Sequence, residues 1–423
     1  MNEVFLQFLW HNGLFRDRFA LSTSGEPVEI IQVGEQNTDS GPDFVNARIR
    51  MGNTLWVGNV EIHQKSSDWF RHGHHTDPAF DNVILHVVLE HDTEVRRPDG
   101  EIITSVILDI DKALLNRYLA LMNNRRWIPC QDFFPAVDGL VVDLWLNKLM
   151  IGRIEQKAED ILSALRQQQN DWDEVFYQKL ARSFGYGINT GPFELLAKRL
   201  PLRLIAKHRD QLIQIEAMIF GQAGFLEKKS MDDYHEQLRK EYAFLKKKYS
   251  LTSMAPHLWK HLRLRPVNFP SVRMAQFAAL LHQHEFLFEQ ILKTEDVNTF
   301  HPLLFIPPSP YWQHHYDFGK PSKRPVKGLG EEMRNIIIAN LFVPFVYLTG
   351  KQKNRPGLQE KAVQWLECMP PENNTVTRRW ETLGVNNRNA SVSQALIHLK
   401  KEYCDHRRCL ACQVGKAIIA CTR

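Results

Sequence analysis

Two short segments carry the residue types that metal-assisted hydrolysis needs. One is Gly41-Pro42-Asp43-Phe44, the other Glu61-Ile62-His63-Gln64-Lys65, with seventeen residues between Asp43 and Glu61. In a strand, alternation places Glu61, His63 and Lys65 on one face and Val60 and Ile62 on the other. Asp43 opens the preceding strand of a hairpin, so it can lie beside Glu61 across the sheet. Two carboxylates meeting at a strand end hold a hard cation such as Mg²⁺ or Mn²⁺, and the cation activates water. His63 or Lys65 then assists that water or steadies a phosphate oxyanion. The competing reading is a turn aspartate after Pro42 and a solvent-facing glutamate.

Three other groups bear on chemistry. His72-Gly73-His74-His75-Thr76-Asp77 is a polar loop from which one histidine can join the Asp43/Glu61 site as ligand or base. Its residue order departs from the His-x-His-x-Asp-His motif of metallo-β-lactamases, which makes a zinc hydrolase of small substrates the weaker class. Asp77-Pro78 reads as a helix cap with proline in the first position. His86 lies in an apolar strand and reads as a hydrogen-bonded core histidine. Near the C-terminus, Cys404-x₄-Cys409-x₂-Cys412, with Cys421 beyond, suits zinc or an iron–sulfur cluster. The fourth ligand stays open between Cys421, His406, Cys130 and Cys368. Arg263, Arg265 and Arg273 surround a proline-bounded turn entering a helix, a setting for nucleic-acid phosphates or for internal pairing with acids.

The surrounding patterns say what must position these groups. A short helix at 4–12, strands at 27–34, 44–51, 54–63, 83–89 and 102–110, and a Gly52-Asn53 turn predict an α/β module with a mixed sheet. From about Val137 the 3.6-residue spacing predicts helices, among them 192–200, 210–222, 232–249, 271–293, 329–348, 355–368 and 390–403. The expected organisation is an α/β module at 1–125, a mainly α-helical body at 126–385 and a Cys-rich metal-binding segment at 386–423.

Composition narrows the class. The chain has 423 residues, 43% hydrophobic and 24% charged, which excludes a disordered or fibrous protein. Six cysteines, four of them in the last twenty residues, do not make a disulfide framework. No apolar run reaches ~18 residues and the N-terminus lacks a basic leader, so a cytoplasmic protein without a membrane partner is expected. Residues 1–110 balance at −9 and hold seven of the 18 histidines, while the remainder balances at +14. That asymmetry fits a metal-binding module joined to a polyanion-binding surface.

Pro42-Asp43, a spacer, then Glu61-x-His63 on the next strand resembles the PD-(D/E)XK superfamily of metal-dependent nucleases, and the order of helix and strands fits it. The resemblance implies a restriction-endonuclease-like mixed sheet flanked by helices, Asp43 and Glu61 as Mg²⁺ or Mn²⁺ ligands, and a nucleic-acid substrate. His63 stands where that motif has lysine, and Lys65 is its same-face substitute. Some members carry an iron–sulfur cluster on a Cys-rich segment. This departure at His63 leaves a second expectation, an inactive nuclease fold that binds nucleic acid or scaffolds. Most of the chain also resembles an uncharacterised bacterial family defined as a domain of unknown function, through Gly41-Pro42-Asp43-Phe44, Val60-Glu61-Ile62-His63, Ser67-Asp68-Trp69, Leu264-Arg265-Pro266-Val267-Asn268-Phe269-Pro270 and the C-terminal cysteines.

Overall fold

Apolar alternation in the first hundred residues closes into one mixed sheet. The computed structural model describes residues 3–15, 19–97 and 100–421. Helix α1 (Glu3–His11) precedes strands β1 (Phe19–Leu21), β2 (Pro27–Gln32), β3 (Glu35–Gln36), β4 (Phe44–Met51) and β5 (Thr54–Lys65). The one-turn helix α2 (Asp68–Arg71) and two 3₁₀ turns lead to β6 (Val83–Glu90), β7 (Ser105–Ile107) and helix α3 (Lys112–Asn123). The sheet runs β1-β2-β4-β5-β6-β7, with β3 also paired to β4. β2, β4 and β5 form an antiparallel meander, and β6 and β7 add in parallel.

The side chains explain the order. β6 is buried from Val83 through Val88, as a strand covered on both faces must be. Gly58 lets β5 approach β6, because a Cβ there would sit 2.4 Å from Ile84 Cγ2. α1 buries Phe5, Leu6, Phe8, Leu9 and Trp10. Trp10 Nε1 donates to the Val33 carbonyl at 2.9 Å, and Phe5 stacks on Tyr118 of α3 at 3.9 Å.

The expected elements differ in detail. The strand foreseen at 102–110 shortens to Ser105–Ile107, the polar loop after Gly34 begins with β3, and the helix foreseen at 271–293 breaks into Pro270–Gln283 and Leu287–Lys293. The chain divides into one unit of Met1–Trp145 with Lys400–Arg423, and a second of Leu146–Leu399. The Cys-rich tail thus returns to the α/β unit from Lys400 onward.

The second unit is helical around aromatic contacts such as Phe176 with Phe288, Phe342 and Phe345. Its helix over Glu331–Gln352 is long and apolar enough to span a bilayer, but 78% of its apolar window is buried, as in a core helix. A π-helical turn at Ile338–Phe342 precedes Pro344, whose missing N–H it accommodates.

One buried acid in this unit gives a stability prediction. Glu216 is fully buried and accepts from the Tyr234 hydroxyl. Burial pushes its carboxyl up to about 7. The folded chain therefore holds this proton more tightly than the unfolded chain. The resulting penalty is full above pH ~7 and fades as pH falls toward the ordinary glutamate range. Glu216→Gln is expected to raise stability at pH 8.5 by roughly 3–4 kcal/mol, the equivalent of that displacement, with the gain vanishing near pH 4.5. Paired denaturant titrations at the two pH values check it; a gain equal at both would refute the assignment.

Candidate metal centre

Strand register decides which side chains meet. Phe44 pairs with Val60, so Asp43 stands opposite Glu61. A bulge follows before Ala47, with Asn46 in the left-handed region at φ 58°, and it bends β4 next to Asp43. In the parallel β5–β6 pair, Glu61 lies beside His86 and His63 beside Val88. Glu61, His63 and His86 therefore share a face.

Asp43 and Glu61 are joined through the backbone. Asp43 N–H donates to Glu61 Oε2 at 3.0 Å, and Ile62 N–H donates to Asp43 Oδ2 at 3.0 Å. Gln7 of α1 donates to Asp43 Oδ1 at 2.7 Å. Burial, and then the charge of Glu61, push the Asp43 carboxyl up to about 7. The second oxygen of Glu61 faces histidines instead. Glu61 Oε1 is 3.2 Å from His74 Nε2 and 3.4 Å from His63 Nε2. His72 Nδ1 is 3.2 Å from His63 Nε2. On its far side, His63 Nδ1 is 2.8 Å from His86 Nε2.

These rings are not ion-pair partners of Glu61 in the ordinary sense. Burial first, then the neighbouring histidines His86, His74 and His72, push His63 down to about 2, and burial pushes His86 down to about 3. Both are neutral at physiological pH, the form in which imidazole ligates metals. A neutral ring nitrogen set 3.4 Å from a carboxylate oxygen needs a proton or a cation between them. Zn–N and Zn–O bonds of about 2.0–2.1 Å give tetrahedral edges of about 3.3–3.4 Å. The three separations around His63 and Glu61 match those edges. The donor atoms of His63, His72 and His74 all lie within 4.8 Å of one another. His63 is buried, His74 half-buried and His72 exposed, so the group has an open side.

The loop carrying His72 and His74 is tied down at both ends. Ser66 is fully buried, and its hydroxyl receives the N–H groups of Asp92 and Thr93 at 3.0 and 2.9 Å. Asp92 accepts from the Ser67 hydroxyl at 2.7 Å. Asp68 accepts from Lys65 N–H at 3.1 Å. Trp69 packs on His74, Phe80 and His86, and Phe80 stacks on His74 at 3.8 Å. Asp77 caps the turn Pro78–Phe80 by accepting from Ala79 N–H, the capping role its sequence suggests. His75 packs on Phe70, 5.3 Å between ring centres.

The family model described as "Protein of unknown function (DUF2851)" matches residues 3–375. The chain belongs to this family. The comparisons with curated proteins and with solved structures yield no match. The matched span of the DUF2851 family holds Asp43, Glu61 and all the histidines just described, and ends before Cys404.

The remaining sequence candidates fall in different settings. Lys65 shares the parity of Glu61 and His63 but stands at the exposed strand end. Its ammonium meets Glu90 of β6 at 3.0 Å. Arg263 and Arg265 are exposed, Arg263 with φ 64°. Arg273 is buried and donates to Asn268 at 2.7 Å and Gln276 at 3.0 Å, which makes it a packing residue of its helix start. A cleft of about 360 Å³ in the helical unit is lined by Tyr186, Asn335, Glu331, Glu332 and Glu372. Three carboxylates make it a poor seat for a polyanion.

The cysteines also sort themselves. Cys130, Cys409 and Cys412 are buried, whereas Cys421 and Cys368 are exposed. The Cys130 thiol feels Cys412 and Cys409, and Cys404 feels all three. Burial, then these sulfur neighbours, push Cys130 up to about 12, and burial and then Cys412 push Cys409 to about 11. Spacing alone had left Cys130 equal to three other choices; its position before a turn at Phe134–Ala136 gives no local sign of this company.

Proposed function

We propose that the N-terminal unit is a metal-dependent hydrolase of phosphodiester bonds in nucleic acid, with its ion held by Glu61, His63, His72 and His74. The observation that carries this reading is that the ligand atoms of His63, His72 and His74 lie within 4.8 Å of one another, with Glu61 Oε1 3.4 Å from His63 Nε2 and 3.2 Å from His74 Nε2. Imidazole-rich donors favour Zn²⁺ or Mn²⁺ over the Mg²⁺ that a two-carboxylate site prefers. A bound ion supplies an activated water and positive charge toward a phosphoryl oxygen.

The chain's own groups have separable tasks. His86, bonded to His63 Nδ1, fixes the ring so that Nε2 faces the site. Asp43 is a positioning residue: its N–H holds Glu61 Oε2, and its carboxyl receives Ile62 N–H, which sets the angle of Glu61. Exposed His72 leaves the side from which a substrate enters. The substrate class rests on the nuclease resemblance of Pro42-Asp43 and Glu61-x-His63, together with an antiparallel hairpin followed by a parallel strand.

A second reading, a nucleic-acid binder on an inactive nuclease fold, is favoured by Lys65 being engaged with Glu90 while histidine stands at the motif's lysine position. One assay separates the two. Purified chain is offered single- and double-stranded DNA, RNA and bis(4-nitrophenyl) phosphate with Zn²⁺, Mn²⁺ or Mg²⁺. Turnover is expected with Zn²⁺ or Mn²⁺. Glu61→Gln and His72→Ala are expected to lower it by about a hundredfold or more, with unchanged circular dichroism. Equal turnover in the variants overturns the assignment. Salt-sensitive binding with no turnover in any metal selects the second reading.

A further inference from the structure

The helical unit carries a cleft whose chemistry is unlike that of the basic chain around it, and no residue of the histidine centre lines it. We propose that this cleft, between the helix start Glu331–Ile337 and the segment 369–374, binds a small aliphatic amine or guanidine carrying more than one positive charge.

The cleft has a volume of about 360 Å³, in the range of small-molecule sites. One wall is a single helix face. Glu331 and Asn335 are one turn apart on it, and Glu332, Ile336 and Ala339 follow at the same helical spacing. The opposite wall runs from Met369 through Pro370 and Pro371 to Glu372 and Asn374. Buried Ala339, Met369 and Ala390 make part of the lining apolar, while Glu331 and Glu332 are exposed. The second wall is held in place by its own hydrogen bonds. Glu372 N–H donates to Ser393 Oγ at 2.9 Å, and the Glu372 carbonyl accepts from Thr377 Oγ1 at 2.8 Å. The Glu372 carboxylate accepts from Gln394 and Asn374. Ala390 N–H donates to the Met369 carbonyl at 3.0 Å. The site is therefore formed without a ligand, which lowers the cost of binding.

Three observations select the ligand. The lining contains Glu331, Glu332 and Glu372 but no lysine, arginine or histidine, although residues 111–423 balance at +14. Other acids of this unit are neutralised at close range: Glu194 meets Arg182 and Lys198, and Glu289 meets Lys293. Among the described residues Glu331 and Glu332 have no such ion pair. Second, Asn335 Oδ1 is buried and has no hydrogen-bond partner, an acceptor that costs stability until a donor reaches it. Third, Tyr186 lines the cleft at 44% exposure and adds an aromatic ring, which attracts cations. A bare metal ion fits this lining poorly. Among the described residues only His63, His72 and His74 bring three ligating atoms within 4.8 Å of one another. The three carboxylates therefore surround a cation of some length. An aliphatic amine presents N–H donors to the acids and to Asn335, and its hydrocarbon stem covers the apolar lining.

The test titrates agmatine and spermidine into the full chain by calorimetry, with butanediol as the uncharged counterpart and Ca²⁺ as the inorganic one. At least one of the two amines is expected to bind, butanediol is not, and added salt is expected to weaken the amine. The double variant Glu331→Gln with Glu332→Gln is expected to weaken binding by about tenfold, the worth of two part-exposed charge pairs. Asn335→Leu is expected to weaken it by about tenfold as well, the worth of one hydrogen bond to a charged group. His72→Ala is expected to bind the amine like wild type, which separates this site from the histidine centre. Hydrogen exchange on wild type needs no variant to fold: the amine is expected to slow exchange over residues 331–339 and 369–374. Three results each overturn the proposal: no binding of either amine at millimolar concentration, equal affinity in the double variant, or tighter binding of Ca²⁺ than of both amines. Protection that appears only outside these two segments also overturns it.

Discussion

A chain carrying His63→Ala is expected to lose Zn²⁺ affinity by well over the ~10–100-fold that follows removal of an outer-shell partner, while Lys65→Ala binds as tightly as wild type. The contrast follows from geometry. His63 Nε2 stands between Glu61 Oε1 at 3.4 Å and His72 Nδ1 at 3.2 Å, so its removal deletes the donor shared by the two sides of the group. Lys65 is two residues on and faces Glu90 at the strand end. His86→Phe is expected to fall between the two, near the ~10–100-fold of an outer-shell loss, because it removes only the partner of His63 Nδ1. Competition against a chromophoric chelator reads all three affinities. His63 is 1% exposed, so His63→Gln, closer in volume, guards against a collapse of the core. Zinc affinity unchanged in both His63 variants would sink the histidine centre. It would return the question to a hard-cation site at Asp43 and Glu61.

How much of this was legible in the sequence depends on whether a contact is local. The shared face of Glu61 and His63 follows from alternation within one strand, and the place of Asp43 beside Glu61 follows from a hairpin whose two arms are contiguous in sequence. The role of Lys65 did not follow, because its partner Glu90 is set by a parallel register with β6. A parallel crossover leaves no turn signature from which to count. His72 and His74 were visible as a cluster, yet their approach to His63 and Glu61 depends on the path of a segment built from a one-turn helix and two 3₁₀ turns. The signal was indirect: Trp69 and Phe80, large apolar residues on either side of the histidines, imply that this polar loop is anchored to a core. Arg273 looked like a phosphate contact by its place near a helix start, and its burial against Asn268 and Gln276 is a tertiary fact. Cys130 is the extreme case. The thiols that act on it electrostatically come from the other end of the chain, and nothing in its neighbourhood sets it apart from Cys368.

The anchoring of that loop makes the second strong prediction. Trp69→Ala is expected to destabilise the chain by roughly 3–5 kcal/mol, the range for a buried tryptophan truncated to alanine, and to weaken Zn²⁺ binding although no donor atom is touched. Trp69 is 1% exposed and belongs to a core with Phe80, Val83, Val95 and Ile103. Its ring centre lies 5.4 Å from His74, 5.5 Å from His86 and 5.8 Å from Phe80. Glu61 and His63 are fixed by the sheet itself, whereas His72 and His74 depend on what this indole holds down. A cavity here therefore frees two donors of four and leaves the other two in place. Trp69→Phe is expected to restore most of both properties, since the buried Trp69 Nε1 has no hydrogen-bond partner to lose. Trp365→Ala supplies the comparison: it is equally buried in the helical unit, where Trp365 Nε1 donates to the Glu295 carbonyl at 2.8 Å. That variant is expected to lose stability without losing zinc affinity. Thermal unfolding and zinc titration on the four proteins separate a general loss of folding from a local loss of the site. A folded Trp69→Ala chain that binds zinc like wild type would mean that the histidine loop is held by its Ser66, Ser67 and Asp92 bonds alone.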